Sequence, residues 1–480
     1  MVGAGPNGLA AALRLAAAGL RVRVVEQAER PGGGARSEAL TLPGFVHDLC
    51  SAVHPMAAAS PFFREFDLAA HGVRLRYPEV AFAHPLDGGR AGLALPSLTD
   101  TAAGLGDDAA AYRRLIGPVV ARGDAVVDFF LGSSFRRPPT RGLGAVAWFG
   151  ANGLPSVRAL TRRWFDGDEA RGLVCGAAAH GMLPLTRAVT GGLGVLQTML
   201  AHHAGWPLVE GGTQQLTDAM VRALEQQDGE VVTGAEVTDL REFDGVRAVL
   251  LDTTPEAFVR MAGDRLPEGY RRWVRRYRHG AGVFKVDWAL SDPVPWTNPD
   301  VRRAGTVHVA GSPEELIEAE SAPSAGRIPD RPFVLAVQPT VVDPTRAPAG
   351  RHVLWGYTHV PNGSDVDMTA AIEAQIERFA PGFRDAILAR STLTAPQMEA
   401  RNPNDLGGEI ANGEPSLRQM LARPVPRWNT YTTPLEGVFL CSAATPPGPA
   451  VHGMCGDNAA RTVLREVFGV RRQPPLRPAG

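Results

Sequence analysis

The chain opens with MVGAGPNGLAAALRLAAAGLRVRVVEQAERPGGGAR, Met1 to Arg36, and this segment carries the strongest structural signal in the sequence. Gly3, Gly5 and Gly8 form a GxGxxG turn that runs directly into an Ala- and Leu-rich helix. The first glycine permits the tight turn from strand to helix, the second lets a pyrophosphate approach the backbone, and the third lets the helix pack on the sheet. The free N–H groups and the positive end of the helix then favour an anion.

An acidic residue follows the turn at the spacing typical of a dinucleotide site. Leu20 to Val25 alternates apolar and basic residues as a strand does, and it ends at Glu26, eighteen residues after Gly8. Such a carboxylate accepts hydrogen bonds from a ribose diol. The pattern therefore predicts a dinucleotide-binding, Rossmann-like fold. The predicted contacts in this part are Gly3, Ala4, Gly5, Pro6, Asn7, Gly8, Glu26 and Gln27.

A second glycine cluster follows the acid and favours FAD over a nicotinamide nucleotide alone. Gly32, Gly33 and Gly34, followed by Ala35 and Arg36, can bring backbone to the same pyrophosphate or to a flavin. No second GxGxxG follows a strand, which argues against a reductase that binds two nucleotides.

Composition excludes several other classes of protein. The chain has 480 residues, enough for two or three domains, and its formal net charge is −1, which argues against nucleic acid as a partner. No apolar run is long enough to cross a bilayer, although the composition allows peripheral contact with a membrane. The four cysteines are scattered without metal-type spacing, so we expect reduced thiols, a cytoplasmic protein and no metal. The oligomeric state stays open.

Strand and helix patterns outline a second, sheet-rich region. Gly282 to Leu290 and His352 to Val360 have strand character, and Thr369 to Arg390 has helical character. Near the end of the chain, Gly437 to Cys441 predicts a buried strand, and Val451 to Phe468 predicts a helix after a loop of small residues. Such a helix end can stabilise negative charge at N1 and O2 of a reduced flavin, or the unit can simply complete the sheet.

These features together resemble the FAD-dependent amine oxidoreductase superfamily, and within it the phytoene desaturase and carotenoid isomerase-like branch. The matching segments are Gly3 to Gly8 with Glu26, Gly32-Gly33, Pro43-Gly44-Phe45 with Asp48, Ser51 and His54, Gly205-Trp206-Pro207 with Glu210-Gly211-Gly212, and Leu440 to Ala460.

The resemblance implies an α/β protein with a Rossmann-like, three-layer FAD domain and an inserted substrate domain of sheet and helices. Residues 1–75, 190–258 and 428–470 would form the FAD domain, 76–189 and 259–427 the substrate domain, and 471–480 a loose tail. Val237 would lie near the adenine, Gly448 and Val451 near the isoalloxazine, and Thr445 would be a further cofactor contact.

The chain departs from the family pattern at both ends. Pro449 and Ala450 stand where the flavin-contacting loop is expected to have glycines, and Ala443 stands where glycine is common. A fingerprint of this kind normally follows a strand of about five or six residues, whereas only Met1 and Val2 precede Gly3. We therefore expect the natural product to begin several residues upstream.

Two residues are candidates for catalysis. Lys285, the only lysine in the chain, lies in an apolar strand similar to the amine oxidase strand whose lysine holds a water against flavin N5. An ammonium group suits that role because its pKa shifts readily on burial. His54 could act as an acid or base, or it could be a hydrogen-bonded structural residue. Trp355, Tyr357 and His359 alternate on one strand face and suit either a substrate tunnel or ordinary sheet packing.

The leading hypothesis is an FAD-dependent oxidoreductase, a desaturase or an oxidase, that takes a hydride from a C–C or C–N bond of a hydrophobic small molecule. A redox-neutral isomerase that uses reduced FAD on a polyene is the second reading. A flavin-binding protein without catalysis is the third, and Pro449 and Ala450 motivate it.

Overall fold

The computed structural model of the protein describes residues 1–132 and 141–476. Its strands are β1 (Arg23–Val25), β2 (Ser37–Glu38), β3 (His47–Asp48), β4 (Leu75–Arg76), β5 (Val80–Pro85), β6 (Ala91–Ala94), β7 (Leu208–Val209), β8 (Glu230–Val232), β9 (Val249–Leu251), β10 (Gly282–Leu290), β11 (Ala304–Val309), β12 (Val334–Val337), β13 (His352–Val360), β14 (Ile387–Leu393) and β15 (Val438–Leu440). Its α-helices are α1 (Pro6–Ala17), α2 (Pro55–Ala59), α3 (Pro61–Phe66), α4 (Leu98–Ala103), α5 (Ala109–Val120), α6 (Gly123–Leu131), α7 (Leu143–Gly153), α8 (Val157–Trp164), α9 (Asp168–Ala179), α10 (Thr190–His203), α11 (Gln214–Glu225), α12 (Pro255–Ala262), α13 (Glu268–Val274), α14 (Pro313–Ser321), α15 (Thr369–Phe379), α16 (Ala395–Arg401), α17 (Leu417–Ala422) and α18 (Met454–Glu466).

A small parallel sheet surrounds the start of the chain. β1 pairs with β8 and β9 pairs with β15, both in parallel. Val2 bridges the two pairs because it forms parallel bridges to Val25 of β1 and Leu251 of β9. The resulting order is β8, β1, Val2, β9, β15. The glycine turn therefore begins at the centre of a parallel sheet, where a Rossmann-like fold binds its ligand.

Helices α1, α11 and α18 pack on this sheet region. The closest approach is between α1 and α18, where a Cβ added at Gly456 would lie 1.8 Å from the carbonyl oxygen of Asn7. Only glycine allows the two helix backbones to come so near. Because α18 starts beside α1, two helix N-termini lie on the same side of the parallel sheet.

The second sheet has seven strands in the order β14-β10-β13-β12-β11-β5-β6. Its neighbours are antiparallel except β11 and β5, which are parallel. The strands predicted at Gly282–Leu290 and His352–Val360 have the predicted bounds. This sheet lies wholly in the two segments assigned to the substrate domain. The small parallel sheet, with its four strands and Val2, lies wholly in the three segments assigned to the FAD domain. The α/β fold class is confirmed, and the domain boundaries themselves stay a prediction.

The structure corrects the prediction of one helix over Thr369 to Arg390. Helix α15 ends at Phe379, and β14 begins at Ile387. Pro381 lies two residues after the end of α15, and Gly382 has a φ of 90°, so the chain turns and continues as an edge strand of the large sheet.

The predicted loose tail is also corrected over its described part. The carbonyl of Pro474 accepts a hydrogen bond of 3.0 Å from the buried Arg14, and the N–H of Leu476 donates to Glu65 at 3.1 Å. Leu476 is buried in the main hydrophobic core. Residues 477–480 of the predicted tail lie outside the described residues. Within the described part of the chain, no helix has the length and apolar character needed to cross a membrane.

Candidate active site

The three glycines of the opening turn each meet a steric requirement. Gly3 has a φ of 94°, a conformation that L side chains rarely adopt. A Cβ at Gly5 would lie 2.7 Å from Oδ2 of Asp252, and one at Gly8 would lie 2.2 Å from the carbonyl oxygen of Gly3. The turn, the helix and the end of β9 can therefore meet only with glycine at these positions.

Glu26 and the second glycine cluster are joined to the turn by hydrogen bonds. Oε2 of the buried Glu26 accepts from the N–H of Ala4 at 2.7 Å. The N–H of Gly32 donates to the carbonyl of Ala4 at 2.9 Å, and a Cβ at Gly33 would lie 3.3 Å from Cα of Gly5. The two glycine segments thus form one wall, as the sequence predicts.

Two cavities meet at this wall. The central cavity contains about 1820 Å³ of space without protein atoms, part of it open to solvent. A second cavity lies on the other side of the turn. Residues that line both cavities are Gly5, Gly33, Asp252, Asn402 and Asn404. The cavities therefore form one trough with the glycine turn at its middle.

Most of the predicted cofactor contacts face this trough. Those lining the central cavity are Gly5, Pro6, Asn7, Gly33, Gly34, Ala35 and Val451. Those lining the second cavity are Gly3, Gly5, Glu26, Gln27, Gly33 and Val237. Because the adenosine-side candidates and the flavin-side candidates lie on opposite sides of the turn, the arrangement fits an extended dinucleotide.

The other predicted contacts support the trough from behind. The N–H of Gly8 donates to Oδ2 of Asp252 at 2.9 Å, and Nε of Arg36 donates to the carbonyl of Gly33 at 3.0 Å. The hydroxyl of Thr445 donates to the carbonyl of Ser442 at 2.7 Å. Further predicted residues that do not line either cavity are Ala4, Gly32 and Gly448.

The loop before α18 is strained at one of the positions where the sequence departs from the expected glycines. Ala450 lines the central cavity and has a φ of 122°, a conformation that favours glycine. Ala443 and Pro449 line the same wall. Because alanine stands where glycine would be unstrained, Ala450 is a strained residue in the wall of the cavity.

His54 lies in the wall of the central cavity, and its hydrogen bonds define its tautomer. Its Nε2 lies 2.9 Å from Oγ1 of Thr213, whose hydroxyl proton is already donated to the carbonyl of Ser51 at 2.7 Å. Nε2 must therefore carry the proton and donate to Thr213. Nδ1 is left with a lone pair and no partner among the described residues. Burial lowers the pKa of His54 to about 4, so the ring is neutral near pH 7.

Lys285 has a different environment from the one the resemblance implies. It is buried in β10, its Nζ donates to the side chain of Asp287, and it does not line the central cavity. Burial lowers the pKa of Lys285 and raises that of Asp287 to about 6, although the two partners oppose these shifts. Two residues link Lys285 to the cavity wall: Trp355, whose ring centroid lies 5.7 Å from Nζ, and Tyr357, its partner on the neighbouring strand. A catalytic role for Lys285 stays a prediction.

The three aromatic residues of β13 have different environments. Trp355 and Tyr357 line the central cavity, whereas His359 does not. Nδ1 of His359 lies 2.8 Å from the buried Glu320, which holds the imidazole behind Tyr357.

The sequence reading missed several polar residues of the trough. Asp252 follows β9 directly, and its carboxylate faces the N-terminus of α1. Asn404 holds it there, because Nδ2 donates to the carbonyl of Asp252 and Oδ1 accepts from Thr254, both at 3.0 Å. Asp405 and Arg423 also line the central cavity. An acid directly after a buried strand was a visible signal for Asp252, and the NPND run at 402–405 was one for the others.

A parallel sheet, a glycine turn and a two-part trough are together typical of dinucleotide-dependent oxidoreductases. The model of the NAD(P)-binding Rossmann-like domain family matches residues 1–66. Among similar curated proteins, pyridine nucleotide-disulfide oxidoreductase domain-containing protein 2 of Mus musculus is 26% identical over 97% of this chain and 93% of its own. The neurosporene-forming phytoene desaturase of Rhodobacter capsulatus is 24% identical over 95% of this chain and 92% of its own.

Solved structures give the same fold. A triple mutant of putrescine oxidase superposes with a TM-score of 0.62 at 17% identity, covering 98% of this chain and 97% of the oxidase. These similarities agree with the sequence resemblance to the FAD-dependent amine oxidoreductase superfamily.

We expect Asp252 to make cofactor binding pH-dependent. Burial raises its pKa to about 7, although the N–H of Gly8 opposes this, so the acid is protonated at pH 6 and ionised at pH 8. The ionised form repels a pyrophosphate at the same helix end. We expect the affinity of the apoprotein for FAD to fall by up to about tenfold per pH unit above pH 7, measured by fluorescence titration at pH 6 to 8.5.

Two variants check the assignment. Asp252→Asn removes the titration and should make FAD affinity almost independent of pH. Asp405→Asn is the matched control, because Asp405 is also a buried acid in the wall of the central cavity but does not hydrogen-bond to the N-terminus of α1. An unchanged pH slope in Asp252→Asn would exclude Asp252 as the titrating group.

Proposed function

We propose that this chain is an FAD-dependent oxidoreductase that removes a hydride from a C–C or C–N bond of a hydrophobic small molecule. One observation carries the proposal: the central cavity, which shares five lining residues with the second cavity, has a largely apolar wall beyond the glycine turn. Apolar residues that line this cavity are Met56, Phe130, Met182, Leu193, Leu335, Trp355, Tyr357, Ile410 and Met420. An apolar enclosure with few polar groups suits a hydrophobic ligand.

The trough residues have clear roles toward FAD. Glu26 would accept hydrogen bonds from the ribose and Val237 would contact the adenine. The backbone of Gly5 and Gly33 would approach the pyrophosphate, and Val451 would lie beside the ring. When bound, the flavin supplies the hydride acceptor. The protein excludes water from the apolar side and holds substrate in one orientation.

His54 is the proposed base. Its neutral ring presents the lone pair of Nδ1, and Thr213 fixes this tautomer, so it can take a proton from a substrate N–H or C–H group as the hydride leaves. Lys285 is a proposed positioning residue, since it lies beneath Trp355 and its charge is balanced by Asp287.

The proposal is tested first on the cofactor and then on the reaction. Purified protein should be yellow, and denaturation should release FAD, because the described cysteines beside the ring loop are buried and the proposal contains no covalent link. Under anaerobic conditions, one of two donor sets should bleach the flavin: detergent-solubilised polyenes for C–C bonds or long-chain primary amines for C–N bonds.

The outcomes are distinct. Bleaching with formation of a desaturated or imine product supports the proposal and identifies the bond. Protein that cannot be reconstituted with FAD contradicts it, and so does a polyene product with no change in oxidation level.

The role of His54 is tested by His54→Gln, whose amide can still donate to Thr213 but has no basic nitrogen. We expect FAD to stay bound and flavin reduction by the donor to slow by about 10²-fold or more. Because the wild-type pKa is about 4, the wild-type reduction rate should be flat from pH 5 to 9.

Lys285→Met is the comparison variant. A positioning role predicts a smaller loss of rate with the pH profile unchanged. Full activity in His54→Gln would remove His54 from the mechanism, whatever Lys285→Met does.

Peripheral membrane contact is the proposed route to such a substrate, and one surface supports it. We define the arginine-rich surface by Arg275, Arg276, Arg278 and Arg418, which border one shallow pocket, together with Leu417 and Leu421 of α17. Leu417 is 43% exposed and Leu421 is 61% exposed, which is unusual for two leucines on one short helix. Hydrogen bonds of 2.7 and 3.0 Å between Gln419 and the backbone of Arg278 hold α17 in place.

This combination is typical of binding to an anionic interface. Met420, on the same helix, lines the central cavity, so the surface adjoins a wall of the substrate site. Among the described residues, Arg275 is the only one of the four arginines of this surface that forms an ion pair, which is with Glu268. The other three arginines have no carboxylate partner there.

Flotation with lipid vesicles tests this contact. We expect the protein to float with vesicles containing one third phosphatidylglycerol but not with pure phosphatidylcholine, and Leu421→Ser to lower the bound fraction severalfold. Leu154→Ser is the matched control, because Leu154 is 59% exposed, close to the 61% of Leu421, but lies at the end of α7. Equal flotation of both variants would contradict the assignment of this surface.

A further inference from the structure

Arg423 occupies an unusual position for an arginine. It follows α17 directly, only 2% of the residue is exposed, and it lines the central cavity. A charge removed from water in this way is costly unless it is paired. The question is therefore which group balances the guanidinium.

Among the described residues, the hydrogen-bond acceptors of Arg423 are all neutral. Nη2 donates to the hydroxyl of Tyr277 at 3.0 Å and to the carbonyls of Asn412 at 3.3 Å and Gly413 at 3.1 Å. Nε has no partner within the described ranges. Arg423 forms no salt bridge with any described residue. No carboxylate oxygen of those residues therefore lies within 4.0 Å of its guanidinium nitrogens.

Two other deeply buried arginines show the usual solution. Arg14 pairs with Glu65 and with Asp457, the latter at 2.6 Å, and Arg346 pairs with Asp48 at 2.8 Å. Both are 1% exposed. Arg423 is equally removed from water but lacks such a partner, and it differs from them in lining a cavity.

Glu409, a buried carboxylate that is hydrogen-bonded to Gly413 in the same network, already has its own partners. Glu409 accepts from the N–H groups of Ala411 at 2.7 Å and Gly413 at 2.6 Å, and from His279 at 3.2 Å. Burial opposes protonation of His279, but its hydrogen bonds to Glu256 and Glu409 raise its pKa to about 9. Glu409 therefore pairs with the imidazolium, and the free donors of Arg423 remain.

We propose that Arg423 is a binding site for a planar, delocalised oxyanion inside the central cavity. A guanidinium forms paired, charge-assisted hydrogen bonds with such a group. Two sources share this chemistry: the carboxylate of an amphipathic substrate, and the N1–C2–O2 edge of a flavin that takes up negative charge on reduction. Gly448 lies beside the group, because a Cβ there would be 2.7 Å from Nη1.

The proposal rests on the proposed function, because it assumes that the central cavity holds substrate and flavin. It adds that a hydrophobic substrate bearing a carboxylate is preferred over its neutral analogue, or that the flavin is tuned by a cation. Either source gives Arg423 a role in binding, not in the transfer of atoms.

The first arm of the test measures decanoate and decanol, which have the same chain but differ in charge, by calorimetry on the wild type and Arg423→Met. If the oxyanion is a substrate carboxylate, decanoate binds the wild type at least tenfold more tightly than decanol, and Arg423→Met abolishes the difference. Arg423→Lys, which keeps charge without the planar fork, recovers it only in part.

The second arm measures the flavin without any ligand. If the oxyanion belongs to the flavin, Arg423→Met weakens sulfite binding to the flavin at least tenfold, while decanoate and decanol bind the wild type equally. Tyr277→Phe, which removes one hydroxyl from Nη2, repeats either effect more weakly and serves if Arg423→Met does not fold.

Arg14→Met is the control for loss of a buried arginine at a distance from the cavity, and it should change neither measurement. Equal binding of decanoate and decanol to the wild type, together with unchanged sulfite binding in Arg423→Met, would overturn the proposal. The calorimetric arm does not depend on any redox reaction, so failure of the proposed activity would be seen separately.

Discussion

The close approach of three chain segments at the glycine turn is the constraint on which the rest of the structure depends. Val2 is held between β1 and β9, and the residues after it turn within contact of Asp252. A side chain at any of the three glycines would collide with backbone or carboxylate. Because the turn is placed there, helix α1 starts at the middle of the trough, and the two cavities meet at its N-terminus.

Much of the fold could be predicted because its signals are local. The glycine turn, Glu26 and the strands Gly282–Leu290 and His352–Val360 are each defined by residues within one short segment, and the structure has them as predicted. The helix predicted over Thr369 to Arg390 was wrong because helical periodicity continued past a Pro-Gly pair that turns the chain. The hydrophobic periodicity of one segment does not show which distant strand that segment will pair with.

The polar groups of the cavity could not be predicted because their meaning depends on distant partners. Asp252 meets Gly8 across 244 positions of sequence, and Tyr277 meets Arg423 across 146. For Lys285, the strand was predicted from the sequence, but the ion pair with Asp287 was not, although Asp287 lies only two residues away. Burial and pairing, not residue type, determine whether such groups are charged.

The cavity therefore combines an apolar enclosure with a few groups whose ionisation burial has changed. Burial raises the pKa of Asp252 to about 7 and lowers that of His54 to about 4. Arg423 is also buried, and it has no carboxylate partner among the described residues. We propose that one extended cofactor runs along the seam between the two glycine segments and ends under the apolar cavity. A crystal structure of the protein soaked with FAD tests this most directly. The account predicts density that runs from Val237 past Gly5 and Gly33 to Val451, and density elsewhere, or none at full FAD occupancy in solution, would contradict it.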